Sequence, residues 1–208
     1  MPDIELKPCD IMATRSKGRL GRLIRFFTRR IGESKSRVNH IGQVVHGGTL
    51  ETAIVVEALS PRVVHRPLWD GYGCKSAPDA TIFRPLNLTD EDIAVITRTA
   101  ESYVGRRYGY LKLGTNLLDW VATNIRAAIP IGERRDVYLF RRLTHDDNYP
   151  MCSWITSHSY AKRGKDFGVK AGAATPDDIL DFCTAHPEKY AVIVPLGSLT
   201  QFRRRETP

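Results

Sequence analysis

The chain has 208 residues, 42% of them hydrophobic, which suits one domain with a packed core and excludes a chain disordered throughout. Lysine and arginine number 31 against 23 acidic residues, and the net charge of +8 favours anionic partners, whether nucleic acid, anionic lipid or a polyanionic cell-wall polymer, without choosing among them. The cysteines at 9, 74, 152 and 183 form no Cys-x-x-Cys pair, which argues against a zinc ribbon, a dithiol redox motif or a disulfide scaffold.

In chain order, residues 10–14 read as a first strand. Residues 19–30 read as an amphipathic helix, with apolar side chains at 20, 23, 24 and 27 and arginines opposite. The segments 41–45, 53–58 and 62–65 are rich in β-branched residues between polar turns, and they predict an antiparallel meander. Residues 70–80 are rich in glycine and proline and read as a loop, followed by a short strand over 81–84. Thr89-Asp90-Glu91-Asp92 opens a helix that runs to about Val104. A second helical stretch covers about 115–128, with Leu117, Leu118, Val121 and Ile125 on one side, and 137–140 is a brief extended piece. Residues 151–162 read as a helix closed by Gly164. Thr175-Pro176-Asp177-Asp178 starts another, with a cap, proline at the first helical position and then acids. A last strand spans 190–194, and a basic tail over 201–208 carries Arg203-Arg204-Arg205. The expected fold class is α+β, a single domain over 1–208 with its core at about 8–195. Its architecture is an antiparallel sheet or small barrel with helices packed on one side.

Thiol chemistry needs a cysteine that ionises, a base beside it and a group that orients the base. Cys152 lies at a helix start, where unpaired N–H groups stabilise a thiolate. Taken alone it can also be a small core residue there, as most lone cysteines are. His40 precedes the strand over 41–45, either facing a groove or sitting on a surface turn. Glu57 follows apolar residues in Val55-Val56-Glu57. Buried there it needs a partner, and His40 is one if the two strands are neighbours; at a strand end in water it needs none. His46 and His65 fall at strand ends, and Cys183 with His186 lacks the second pair that a tetrahedral zinc requires. Thr144-His145-Asp146-Asp147 reads as a polar loop. No metal or cofactor is expected.

Together, Asp10-Ile11, the arginine-rich helix, Asn39-His40-Ile41-Gly42, Val56-Glu57-Ala58, Gly105-Arg106-Arg107-Tyr108, Tyr149-Pro150-Met151-Cys152-Ser153 and Thr175-Pro176-Asp177-Asp178 form an ordered series. That series resembles the permuted NlpC-like branch of the papain-fold cysteine peptidases, the YiiX-like group related to lecithin–retinol acyltransferase-like enzymes, in which the histidine precedes the cysteine. The resemblance implies Cys152 as nucleophile, His40 as base and Glu57 as orienting residue, with Tyr108, Ser153 and Tyr149 near the oxyanion hole or substrate wall. The chain departs from the pattern at Cys9, where the family has glycine before Asp-Ile, at Trp154, where it has an acid, and at Met151, which stands next to the cysteine in place of a tyrosine. The segment 114–132 reads as a further core helix or as a lid.

The implied activity is a thiol hydrolase, a peptidase or amidase cleaving a peptide or cell-wall-type amide through an acyl-enzyme. A thiol acyltransferase or esterase acting on lipid acyl groups is the enzymatic alternative, and an inactive papain-like binding module the non-enzymatic one. Expected partners are a peptide or acyl substrate and an anionic polymer or membrane surface, with nucleic acid not favoured. With neither an export signal nor an apolar run of about 18 residues in view, the default expectation is a cytoplasmic protein, a phage origin staying open.

Overall fold

The computed structural model describes residues 4–16, 37–74, 76–109 and 150–199. The helices expected over 19–30 and 115–128, the extended piece over 137–140, residues 144–147, Tyr149 and the arginine tail lie outside these. The fold is α+β, built on a six-stranded antiparallel sheet. Its strands are β1 (Ile11–Arg15), β2 (His40–His46), β3 (Ile54–Ala58), β4 (Val63–Pro67), β5 (Asp79–Pro85) and β6 (Tyr190–Val194). They lie in the order β4-β3-β2-β1-β5-β6, an open sheet rather than a closed barrel among the described residues. The expected meander is present as β2-β3-β4.

Four helices accompany the sheet among the described residues: α1 (Leu68–Tyr72), α2 (Asp90–Glu101), α3 (Cys152–Ala161) and α4 (Pro176–Ala185). Alternation along β2 sends Ile41 and Gln43 to one face and Gly42 and Val44 to the other. On the first face Ile41, Ile11 and Ala13 pack with Ile96 of α2, Tyr160 of α3 and Ile179 of α4. On the second, Met12, Val44, Val55 and Ile82 pack with Leu6, Leu199 and two residues of α1, Leu68 and Tyr72. Helices therefore cover both faces, and α1 corrects the one-sided expectation. It was hidden because Gly71 and Gly73 make 70–80 look like a loop, while Leu68 and Tyr72, four residues apart, bury its inner side. No helix among the described residues is long and apolar enough to cross a membrane.

Two helix starts are closed by their own side chains. The Thr89 and Thr175 hydroxyls accept from the N–H groups of Asp92 and Asp178, whose carboxylates accept from the threonine N–H groups in return. α3 begins differently. Met151 stands at its cap with no capping side chain and no acid follows in the first turn, so the first N–H groups there are not spent on a cap.

Candidate active site

Cys152 is the first residue of α3, and two contacts fix that helix on the sheet. Ser159 donates its hydroxyl to Gln43 Oε1 of β2 at 2.8 Å, and Tyr160 donates to the Cys9 carbonyl at 2.6 Å. His40 is the first residue of β2. The residue before it, Asn39, clamps the strand start: its N–H donates to the Thr14 carbonyl, and its side chain accepts from the Ser16 N–H at 3.0 Å and donates to the Ser16 carbonyl. The thiol of Cys152 and the imidazole of His40 are hydrogen-bonded partners.

His40 Nε2 meets Glu57 Oε2 at 2.8 Å, which leaves Nδ1 for the sulfur. Glu57 pairs across the strands with Gly42, and the glycine is required there. A Cβ at 42 would stand 2.9 Å from Met12 Cε and from Val55 Cγ2, on the face that His40 and Glu57 share. Glu57 is fully buried, not a strand end in water. Arg66 of β4 donates Nε and Nη2 to its Oε1 at 2.8 and 2.6 Å, and the Tyr72 hydroxyl of α1 donates to Oε2 at 2.7 Å.

These contacts decide the charges. Burial alone would lower the His40 pKa, but the Cys152 sulfur and the Glu57 carboxylate outweigh it and push the imidazole up to about 10. Burial opposes ionisation of the Cys152 thiol too. The imidazolium of His40 and the N–H groups of Ile41 and Ser153 overcome it and hold the thiol below its ordinary range. For Glu57, burial would raise the pKa, and the His40 and Arg66 cations with the Tyr72 hydroxyl instead bring it down to about 2. The arrangement thus favours the thiolate–imidazolium form of the pair, resting on a buried carboxylate. By contrast, burial pushes the Cys9 thiol up to about 12 and raises that of Cys183 as well.

The other expected residues divide. Ser153 contributes its backbone N–H to the sulfur, while its hydroxyl is buried without a hydrogen-bond partner among the described residues. Tyr108 is buried in the apolar cluster that also holds Cys152, Val56 and Ile155. Tyr149 lies outside the described residues. Trp154, where the resemblance would place an acid, is 3% exposed and stacks on His158 with ring centroids 4.6 Å apart, a packing position. Cys9 stands where the family has glycine and adopts φ 72, a left-handed conformation that costs a side-chain-bearing residue roughly 1–2 kcal/mol. Asp10, next to it, is buried and tied to Arg84 Nη2 at 2.7 Å and to the Lys7 N–H at 2.8 Å. Among the described residues, the side chains grouped closely enough to share a metal ion are His46, His65 and Glu101, at the opposite end of β2 from His40.

The fold resembles that of the metalloprotein yiiX from Escherichia coli O157:H7. The likeness has a TM-score of 0.51 at 17% identity and covers 79% of this chain and 70% of yiiX. At that identity the similarity to yiiX concerns the fold alone. No protein-family model matches the chain, and no curated protein matches it in sequence.

Arg66 and Tyr72 were not anticipated from the sequence. Arg66 sits on the same face of the sheet as Glu57, but only the β3–β4 register reveals it. Tyr72→Phe removes one hydrogen bond to a buried charge and is expected to cost about 1.5–3 kcal/mol in urea unfolding. Arg66→Ala should cost more, because the arginine holds the carboxylate by two bonds.

Proposed function

We propose that this chain is a cysteine hydrolase of the permuted NlpC-like papain superfamily, YiiX-like branch, acting as a peptidase or amidase. One observation carries the reading: the sulfur at the uncapped start of α3 is paired with an imidazole whose other nitrogen is held by a buried, doubly anchored carboxylate. Structural cysteines such as Cys9 and Cys183 have raised pKa values, and Cys152 has the reverse. The likeness to yiiX in fold and the order His40, Glu57, Cys152 agree with it.

In the proposed reaction the Cys152 thiolate attacks the carbonyl carbon of an amide, and negative charge builds on the carbonyl oxygen. The N–H groups at the head of α3 offer that charge hydrogen bonds. As the C–N bond breaks, the His40 imidazolium gives its Nδ1 proton to the departing amine and a thioester remains on Cys152. Water then attacks the thioester, neutral His40 takes its proton, and the acid leaves as the thiolate and imidazolium re-form. Glu57 keeps Nδ1 aimed at the sulfur and stabilises the imidazolium throughout.

Iodoacetamide labelling against pH tests the centre. Cys152 should react faster than exposed Cys74 at about pH 6–7, with a rate that is flat toward alkaline pH, and His40→Ala should move its ionisation upward. Turnover on a panel of peptide amides and acyl esters should rise with ionisation of the thiol and decline near pH 10, where His40 loses its proton. Equal labelling of Cys152 and Cys74 at neutral pH would end the proposal. An ester-only profile would favour the acyltransferase or esterase alternative.

A further inference from the structure

β2 carries an irregularity at its far end. Val44 pairs with Val55 but His46 pairs with Ile54, so Val45 is an extra residue against a single step of β3. In an unbroken strand His46 would point to the same face as Gly42 and Val44. The bulge turns it to the face of Ile54 and Val56 instead. His65 of β4 is paired with Val56 and therefore shares that face, and α2 lies over it with Glu101 at its last residue. The two imidazoles meet edge to face with centroids 5.6 Å apart. Both aim Nε2 at the same oxygen: Glu101 Oε1 lies 3.1 Å from His46 and 3.8 Å from His65.

We propose that His46, His65 and Glu101 form a binding site for a borderline divalent cation of the Zn²⁺ type, separate from the Cys152 centre. One ligand atom from each residue lies within 4.8 Å of the others. Bonds of about 2.0–2.2 Å to a shared ion need only a small contraction from there. Two imidazoles and one carboxylate select zinc-like ions over Mg²⁺ or Ca²⁺, which prefer oxygen, and leave a fourth position for water. The side chains are reachable from solvent, at 60%, 37% and 37% exposure. Glu101 also sits at the C-terminal end of α2, where the helix dipole disfavours a carboxylate and a bound cation would offset that cost. As a bare surface ion pair the same contacts would contribute at most about 1 kcal/mol, little reason for a bulge that re-aims a histidine.

The test is calorimetric titration of the full chain with ZnCl₂ at about pH 7.5, with CoCl₂ absorption as a second readout. The expected result is one site per chain that persists in Cys152→Ala. In His65→Ala and in Glu101→Ala its affinity should fall by more than the ~10–100-fold that loss of an outer-shell partner costs. The cobalt form should show visible d–d bands without a thiolate charge-transfer band. His46→Gln serves as the third ligand deletion, a polar replacement chosen to keep the β-bulge. Absence of zinc binding, binding unchanged in all three ligand variants, or binding lost in Cys152→Ala alone would each overturn the site, whatever the outcome of the labelling experiment on Cys152.

Discussion

Glu57→Gln is expected to lower turnover by a factor on the order of 10³–10⁴ and to destabilise the fold by about 3–5 kcal/mol. The amide can no longer balance the His40 and Arg66 cations that converge on it, and its NH₂ group repels one of them. The imidazolium then loses its support, and the Cys152 thiol reverts toward its ordinary ionisation. Acid unfolding should change in step. The folded pKa of Glu57, about 2, lies below its ordinary 4.5, so its contribution is whole above about pH 4.5 and drains as pH falls toward 2. The displacement corresponds to about 3 kcal/mol at neutral pH. His40 has the opposite sign: raised from 6.5 to about 10, its contribution is whole below about pH 6.5 and is lost as pH climbs to 10. Urea midpoints across this range, for the unaltered chain and E57Q, would measure both limbs. An E57Q chain that keeps its turnover and its acid limb would remove Glu57 from the centre.

Cys152→Ser is expected to abolish turnover, by a factor on the order of 10⁴ or more, while the fold persists. A serine hydroxyl cannot be held ionised by an imidazolium at neutral pH, so the ion pair disappears although the atoms differ little in size. His40 reports the loss directly. The sulfur is the largest influence raising its pKa, so the imidazole should titrate at lower pH in Cys152→Ser, as followed by NMR of its ring protons. If instead the imidazole titrates unchanged, sulfur and ring are not paired. That readout needs no substrate.

Cys152, His40 and Glu57 were brought forward by the family resemblance of the ordered series, behind which stand only weak local signals: a helix start behind Pro150, a histidine ahead of a β-branched run, and a charge inside one. Their supports were not. Arg66 ends a short Val-Val-His-Arg segment, and which face it takes depends on a register that sequence spacing does not set. Tyr72 lay inside what two glycines disguised as a loop. The nearness of His46 to His65 was not legible either: both fall at strand ends, and the extra residue in β2 that turns His46 toward His65 leaves no mark in the sequence pattern. The strands were found to within one or two residues, and β6 to the residue, because each alternates or is bounded by turn residues. The uncapped start of α3 was visible only as a missing acid, a signal that becomes meaningful beside the capped α2 and α4.

The sulfur's partners come from distant stretches of chain: the imidazole and the Ile41 amide from β2, the Ser153 amide from α3. Each stretch supplies only part of what lowers the thiol's pKa against its burial. A ribosome-bound or proteolysed chain lacking either one therefore carries a less readily ionised thiol. Enhanced thiol reactivity therefore develops only when α3 docks on β2, which makes alkylation speed at Cys152 a gauge of completed folding.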